Sequence, residues 1–215
     1  MKNYKIIFLL FFITTFSFAQ NSNRIFKNAD FKEGKFLNIT VNNGTYKMHF
    51  YNTKIVETSF IPDTQKFIKD SHAVVLNSYA DATFKETSEF IDFSSKGISV
   101  KIIKAPFQIQ YFYKGDLITS EKQGYFKSKH LPLELVKGNI VADEAEKIAF
   151  NLTKDEVLFG GGARALGMNR RGNRLALYNR AQYGYETHAE LMNFTIPLVI
   201  SSKKYMLHFD NAPIG

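Results

Sequence analysis

The 215 residues include no cysteine, no tryptophan and only five prolines. Without a thiol the chain can form no disulfide scaffold, no thiolate metal site and no cysteine nucleophile. The 13 glycines follow no collagen period, and the Ala/Glu/Leu surplus of a helical bundle is missing. The unbroken apolar run Ile6–Ile13 is too short to span the roughly 30 Å of a bilayer core as a helix. What is abundant is aromatic and β-forming: 21 Phe and 11 Tyr within a 45% hydrophobic composition rule out disorder and supply a real core.

The first 19 residues read as a secretory leader. Lys2 and Lys5 give a basic start, Ile6–Ile13 the apolar stretch, and Ser17-Phe18-Ala19 a small-x-small cleavage site before Gln20. The expectation is therefore an exported protein, periplasmic or extracellular, with residues 1–19 removed and one domain over 20–215. The missing cysteines point to a bacterial host, and also exclude a lipid anchor at the new N-terminus. The four sequons at Asn38, Asn43, Asn151 and Asn193 matter only in a eukaryotic one.

The formal charge of +8 falls to +6 once the two leader lysines are gone. Lysines are scattered through strands and turns, the pattern of a solvated surface that blunts sheet edges, so neither nucleic acid nor membrane is expected as a partner. Arginine is different. Apart from Arg24, all of it (Arg164, Arg170, Arg171, Arg174 and Arg180) falls in 17 residues that contain no acid.

From Phe36 to Tyr113 the pattern is strand after strand. Leu37, Ile39 and Val41 alternate with polar residues; Asn43-Gly44 predicts a type I′ hairpin turn, and Tyr46, Met48 and Phe50 resume the alternation. Ile55–Ile61 ends at Pro62. Phe90–Phe93 and Ile98–Ile103 flank the turn Ser94-Ser95-Lys96-Gly97, and Phe107–Tyr113 pairs with Leu117–Ser120 around Lys114-Gly115-Asp116. Asp143–Ala149 fits a helix turn or a strand equally. Phe194–Ile200 and Lys204–Phe209 read as two apolar strands, and the turn Asp210-Asn211-Ala212-Pro213 normally leads into another element. Turn signals about every 8–12 residues without helical periodicity predict an all-β fold, an antiparallel β-sandwich.

Chemistry-bearing motifs are few. Gly160-Gly161-Gly162 lacks the Lys-Ser/Thr and the βαβ setting of a phosphate loop, and fits a strand that bends where another backbone comes close. His188, between Glu186 and Glu190, has no second histidine at ligand spacing, so neither metal nor other cofactor is expected. No Ser/His/Asp arrangement stands out. The arginines with Tyr178, Tyr183 and Tyr185 make a loop that fits internal pairing or an interface, since guanidinium forks suit carboxylates and tyrosine rings stack on sugars.

Five strings in order, Phe159-Gly160-Gly161-Gly162, Met168-Asn169-Arg170-Arg171-Gly172, Leu177 to Tyr185, Ile196 to Ser202 and Phe209-Asp210-Asn211, resemble the end of the N-terminal β-sandwich of glycoside hydrolase family 31. Ala105-Pro106-Phe107-Gln108-Ile109 and the Gly115-Asp116-Leu117 hairpin look like its middle strands. The form Tyr-Asn-Arg-Ala-x-Tyr-Gly-Tyr is most similar to α-transglucosylases within that family. The resemblance implies a galactose-mutarotase-like sandwich, preceding a (β/α)₈ barrel that carries an Asp nucleophile and an Asp acid/base. That barrel is absent from these residues, so no catalytic residue is nominated. The resemblance also implies a loop over the barrel mouth, with Arg180, Gln182, Tyr183 and Tyr185 as contacts to an α-linked gluco-oligosaccharide and Arg164, Arg170, Arg171 and Arg174 facing the barrel. Many hydrolases of the family carry Asp where this chain has Ala181. The competing expectation is a free-standing secreted sandwich that binds carbohydrate.

Overall fold

The computed structural model describes residues 23–66, 71, 73–76, 78–129, 144–177, 179, 184 and 194–210. Strands β1 (Phe26–Lys32), β2 (Phe36–Val41), β3 (Gly44–Asn52) and β4 (Ile55–Pro62) form one antiparallel sheet in sequence order. A second antiparallel sheet holds β5 (Thr83–Glu86), β6 (Phe90–Ser94), β7 (Ile98–Ile103), β8 (Gln108–Tyr113), β9 (Asp116–Lys129) and β10 (Glu144–Phe150). A small third sheet consists of β11 (Leu158–Gly160), β12 (Leu198–Ser201) and β13 (Met206–His208). No helix occurs among the described residues.

The all-β expectation holds, and its cause is the period of two. Leu37, Ile39, Val41, Tyr46, Met48 and Phe50 all point inward from β2 and β3, each at most 1% exposed. Ile91, Phe93, Val100, Ile102 and Ile109 face them from the second sheet. Phe50 stacks on Phe93 with ring centroids 4.6 Å apart, so the two sheets meet directly. Burying each such side chain contributes about 1.5–3 kcal/mol, which makes this layer the main source of the fold's stability.

Three local readings change. The β2–β3 turn is Asn42-Asn43, not Asn43-Gly44: Val41 pairs with Gly44, and neither asparagine is at positive φ. Gly44 opens β3 because a Cβ there would lie 2.4 Å from the Ile61 carbonyl oxygen and 2.6 Å from Phe60 Cζ. The segment that fits helix or strand is strand β10, paired along β9. The last two strands are shorter than the apolar runs. Phe194–Ile196 instead lies against the glycine triplet, with the Ala163 N–H donating to Phe194 O at 2.9 Å, while Lys204 sits in a turn at φ 66°. The Lys114-Gly115 hairpin is as read, with both residues at positive φ and Tyr113 opposite Asp116. The leader and its cleavage site lie outside the described residues.

Candidate sugar-loop scaffold

The segment rich in arginine begins where β11 peels away from β12. Gly160, Gly161 and Gly162 have φ of 106°, 77° and 84°. A Cβ on them would meet Leu198 O at 2.3 Å, Leu175 Cδ1 at 2.5 Å and Phe194 O at 2.5 Å. The triplet therefore turns the chain through a gap with no room for side chains, in a backbone region that favours glycine. It is a close-approach bend.

From that bend, residues 163–177 fold back over the edge of β11. The Arg170 N–H donates to Leu158 O at 2.7 Å, and its side chain reaches Gly160 O at 3.2 Å and Gly167 O at 2.8 Å. Asn169 Oδ1 accepts from the Leu158 N–H at 3.3 Å. Arg171 gathers the carbonyls of Thr153, Lys154 and Glu156 at 2.6, 2.9 and 2.9 Å. Arg164 is buried and donates to Ala163 O and Ala176 O at 3.0 and 2.9 Å, while its Nε has no partner among the described residues. Burial, with Arg170 beside it, lowers its pKa below the usual arginine value. Three arginines thus bond main-chain carbonyls of their own chain. Their rigid forks satisfy several acceptors at once, and loop carbonyls without helix or sheet partners need such donors.

The loop base is pinned by an acid that sequence reading passed over. Glu156, 3% exposed, accepts from Ser201 Oγ and Tyr205 OH, both at 2.6 Å, and from the Thr153 N–H at 3.0 Å. Burial alone would raise its pKa; the bonds from Ser201, Tyr205 and Thr153 outweigh that and hold it below the ordinary carboxylate value. At the far end Asn179, from the Tyr-Asn-Arg string, accepts from Thr195 N and Oγ1, both at 2.8 Å. Arg174 is exposed. Arg180, Gln182, Tyr183 and Tyr185, with Tyr178, Ala181 and His188, lie outside the described residues. The structure thus brings Arg164, Arg170 and Arg171 into one scaffold built on the edge of β11.

A second buried polar cluster, also unread in the sequence, sits between the two large sheets. Arg24 donates to Tyr46 OH and, at 2.6 Å, to Tyr125 O, and lies 4.4 Å from the Phe60 ring centroid. Tyr111 OH donates to Glu121 Oε1 at 2.7 Å. Glu121 is 3% exposed, and burial pushes its carboxyl up to about 7, against the opposing pull of Tyr111 and Arg24. The sequence signal was the glycine at 124: β9 does not stop at Ser120 but runs on through a bulge, with Ala149 opposite Gly124 and Phe150 opposite Glu121. The adjoining cavity, lined by Tyr46, Gln108 and Glu121 among others, is about 10 Å³. That is water-sized, against roughly 300 Å³ or more for a small-molecule pocket. Among the described residues no group of three or more His, Asp or Glu could hold a metal.

Solved structures share this architecture. A GH31 dextranase of Flavobacterium johnsoniae, determined with glucose, superposes with a TM-score of 0.73 at 22% identity over 89% of this chain and 23% of the dextranase. The cycloalternan-forming enzyme of Listeria monocytogenes, solved with a pentasaccharide substrate, gives 0.61 at 18% identity over 86% of this chain and 17% of that one. A GH31 α-xylosidase from Xanthomonas citri gives 0.61 at 16% identity, over 89% and 18%. The chain therefore spans less than a quarter of the length of these relatives. No curated protein matches it by sequence. The family model for the glycosyl hydrolase 31 N-terminal galactose mutarotase-like domain matches residues 45–213. With strands β4 to β13, the glycine bend and the arginine loop all inside that match, the chain belongs to the glycosyl hydrolase 31 N-terminal galactose mutarotase-like domain family.

Proposed function

We propose that this chain is the non-catalytic N-terminal domain of an exported family 31 α-glucosidase or α-transglucosylase acting on α-linked gluco-oligosaccharides. The observation that carries the reading is the family match over residues 45–213, on a fold that accounts for only 17–23% of the three solved relatives described above. Those relatives carry glucose, isomaltotriose and a pentasaccharide in their crystals, which supports an oligosaccharide as the ligand class. Retaining hydrolysis needs two carboxyl groups about 5–5.5 Å apart on a rigid frame. Glu156 and Glu121 are each committed to bonds within this domain, and in this reading the reacting pair belongs to a barrel further along the polypeptide.

In this reading the scaffold of Arg164, Arg170 and Arg171 packs with Arg174 towards that barrel and holds out the tip. There Arg180, Gln182, Tyr183 and Tyr185 contact sugar. Ala181 leaves an apolar gap where an acid would bind a hydroxyl, and tyrosine beside it favours a stacked acceptor sugar. A second sugar held there competes with water for the glycosyl-enzyme and favours transfer. The test is the reading frame after Gly215, expressed in full and assayed with a nitrophenyl α-glucoside. Turnover by the longer product, absent from the 215-residue chain, is expected. A stop codon after Gly215, with oligosaccharide binding by residues 20–215 alone, would return the chain to a free-standing carbohydrate-binding sandwich.

A further inference from the structure

Arg24 is a long charged side chain carried into the interior by a segment with little else to hold it. Residues 23–25 precede β1, and they are tied to the β2–β3 turn: the Asn42 N–H donates to Ile25 O at 3.0 Å, the Ile25 N–H to Asn42 Oδ1 at 3.0 Å, and Asn42 Nδ2 to Asn23 O at 2.8 Å. Ile25 is itself exposed, and bonds at a solvated turn hold weakly because water competes for them. The guanidinium is the buried anchor. It lies over the Phe60 and Tyr46 rings, 4.4 and 5.3 Å from their centroids, and bonds Tyr46 OH and Tyr125 O, so it joins β3 and β4 of one sheet to β9 of the other.

Arg24 also meets a carboxyl buried with it. A Cβ on Gly124 would lie 2.6 Å from Tyr46 OH, 2.9 Å from Glu121 Oε2 and 3.0 Å from Arg24 Nη1, so carboxyl and guanidinium converge over a residue without a side chain. That places them within the roughly 4–6 Å at which an opposite charge favours an ionised carboxyl. The other walls of Glu121 bring no cation. β3 supplies Tyr46, β8 supplies Tyr111 and Gln108, Thr58 of β4 bonds Tyr111, and β10 sets Phe150 opposite. Among the described residues, Arg24 is the single positive charge facing the carboxyl.

We propose that residues 23–25 and the proton on Glu121 form a switch: the segment docks tightly when Glu121 is ionised and loosens when the carboxyl takes up a proton. Burial pushes this carboxyl up to about 7, with Tyr111 and Arg24 pulling the other way. Lifting residues 23–25 removes the pull of Arg24 and leaves the walls from β3, β8 and β10, so the undocked state holds the proton more firmly. Docking therefore strengthens as pH rises through about 7, tenfold for each unit by which Arg24 lowers the carboxyl. Global stability runs the opposite way, since complete unfolding also takes Glu121 out of its burial.

Amide hydrogen exchange in the protein, corrected for the intrinsic effect of pH, reads the docking at Ile25 and Asn42. Their protection should rise at least about threefold between pH 5.5 and 8, while that of Val100, deep in the core, falls. Glu121→Gln should hold both amides near the low-pH level of wild type at every pH. In Arg24→Gln the titration midpoint of Glu121, followed by NMR of its carboxyl carbon, should move upward. Protection at 25 and 42 that is flat or falls with pH in wild type would overturn the proposal. So would a rise that survives in Glu121→Gln, or a Glu121 midpoint that Arg24→Gln leaves unchanged. Should Arg24→Gln not fold, the comparison of wild type with Glu121→Gln decides alone.

Discussion

Replacing Glu121 by glutamine should remove most of the protein's stability change between pH 4.5 and 8. The carboxyl is buried, and its folded value of about 7 stands above the ordinary 4.5. A carboxyl raised on folding binds its proton more tightly in the native state. Its stabilising contribution is therefore complete below 4.5, falls as pH rises, and is gone above about 7. At about 1.4 kcal/mol for each pH unit of difference, that loss is about 3 kcal/mol in wild type. Glutamine stays neutral and keeps an oxygen for Tyr111, so Glu121→Gln should be nearly flat over the same range. It should match or slightly trail wild type at pH 5 and exceed it at pH 8. Glu156 does not interfere, since its lowered pKa places its titration below this window. The assay is urea unfolding of residues 20–215 at pH 5, 6, 7 and 8, followed by tyrosine fluorescence and circular dichroism. A mutant slope as steep as that of wild type would refute the assignment of the pH dependence to Glu121.

Gly162→Ala should cost at least about 2 kcal/mol, because alanine is strained at φ 84° and its Cβ would meet the Phe194 carbonyl oxygen at 2.5 Å. Thermal melts should show a drop of about 4–8 °C, and an unchanged midpoint would contradict the close-approach role. Export should cleave after Ala19, so mass spectrometry of the secreted product should find a chain starting at Gln20; a retained leader would refute this. Tyr183→Ala in the longer enzyme should lose about 1–2 kcal/mol of acceptor binding and lower the transfer-to-hydrolysis ratio on maltotriose, and an unchanged ratio would remove Tyr183 from the site.

Where alternation ruled, the sequence was readable: Leu37, Ile39 and Val41 against Tyr46, Met48 and Phe50 is a pattern only a half-buried strand satisfies, and all six are core. The glycine triplet was readable for a similar reason, since three successive residues without side chains suit a bend against other backbone. Turn placement at Asn42-Asn43 was not, because the need for glycine at 44 comes from β4 passing close by, a contact distant in sequence. Arg24 and Glu121 were invisible for the same cause: their burial depends on the bulge in β9 and on the 96 intervening residues folding back. The arginine loop was half legible. Composition marked it as unusual, but that its guanidinium groups serve carbonyls rather than acids is a property of the folded loop.

The claim that this domain serves an α-retaining family 31 enzyme is tested most directly by following, by proton NMR, the anomer first released from maltotriose by the longer polypeptide. Double displacement predicts that α-glucose, or an α-linked transfer product, appears first and that the 215-residue chain alone releases neither. Initial release of β-glucose, no turnover by the longer polypeptide, or turnover by the 215-residue chain itself would contradict it.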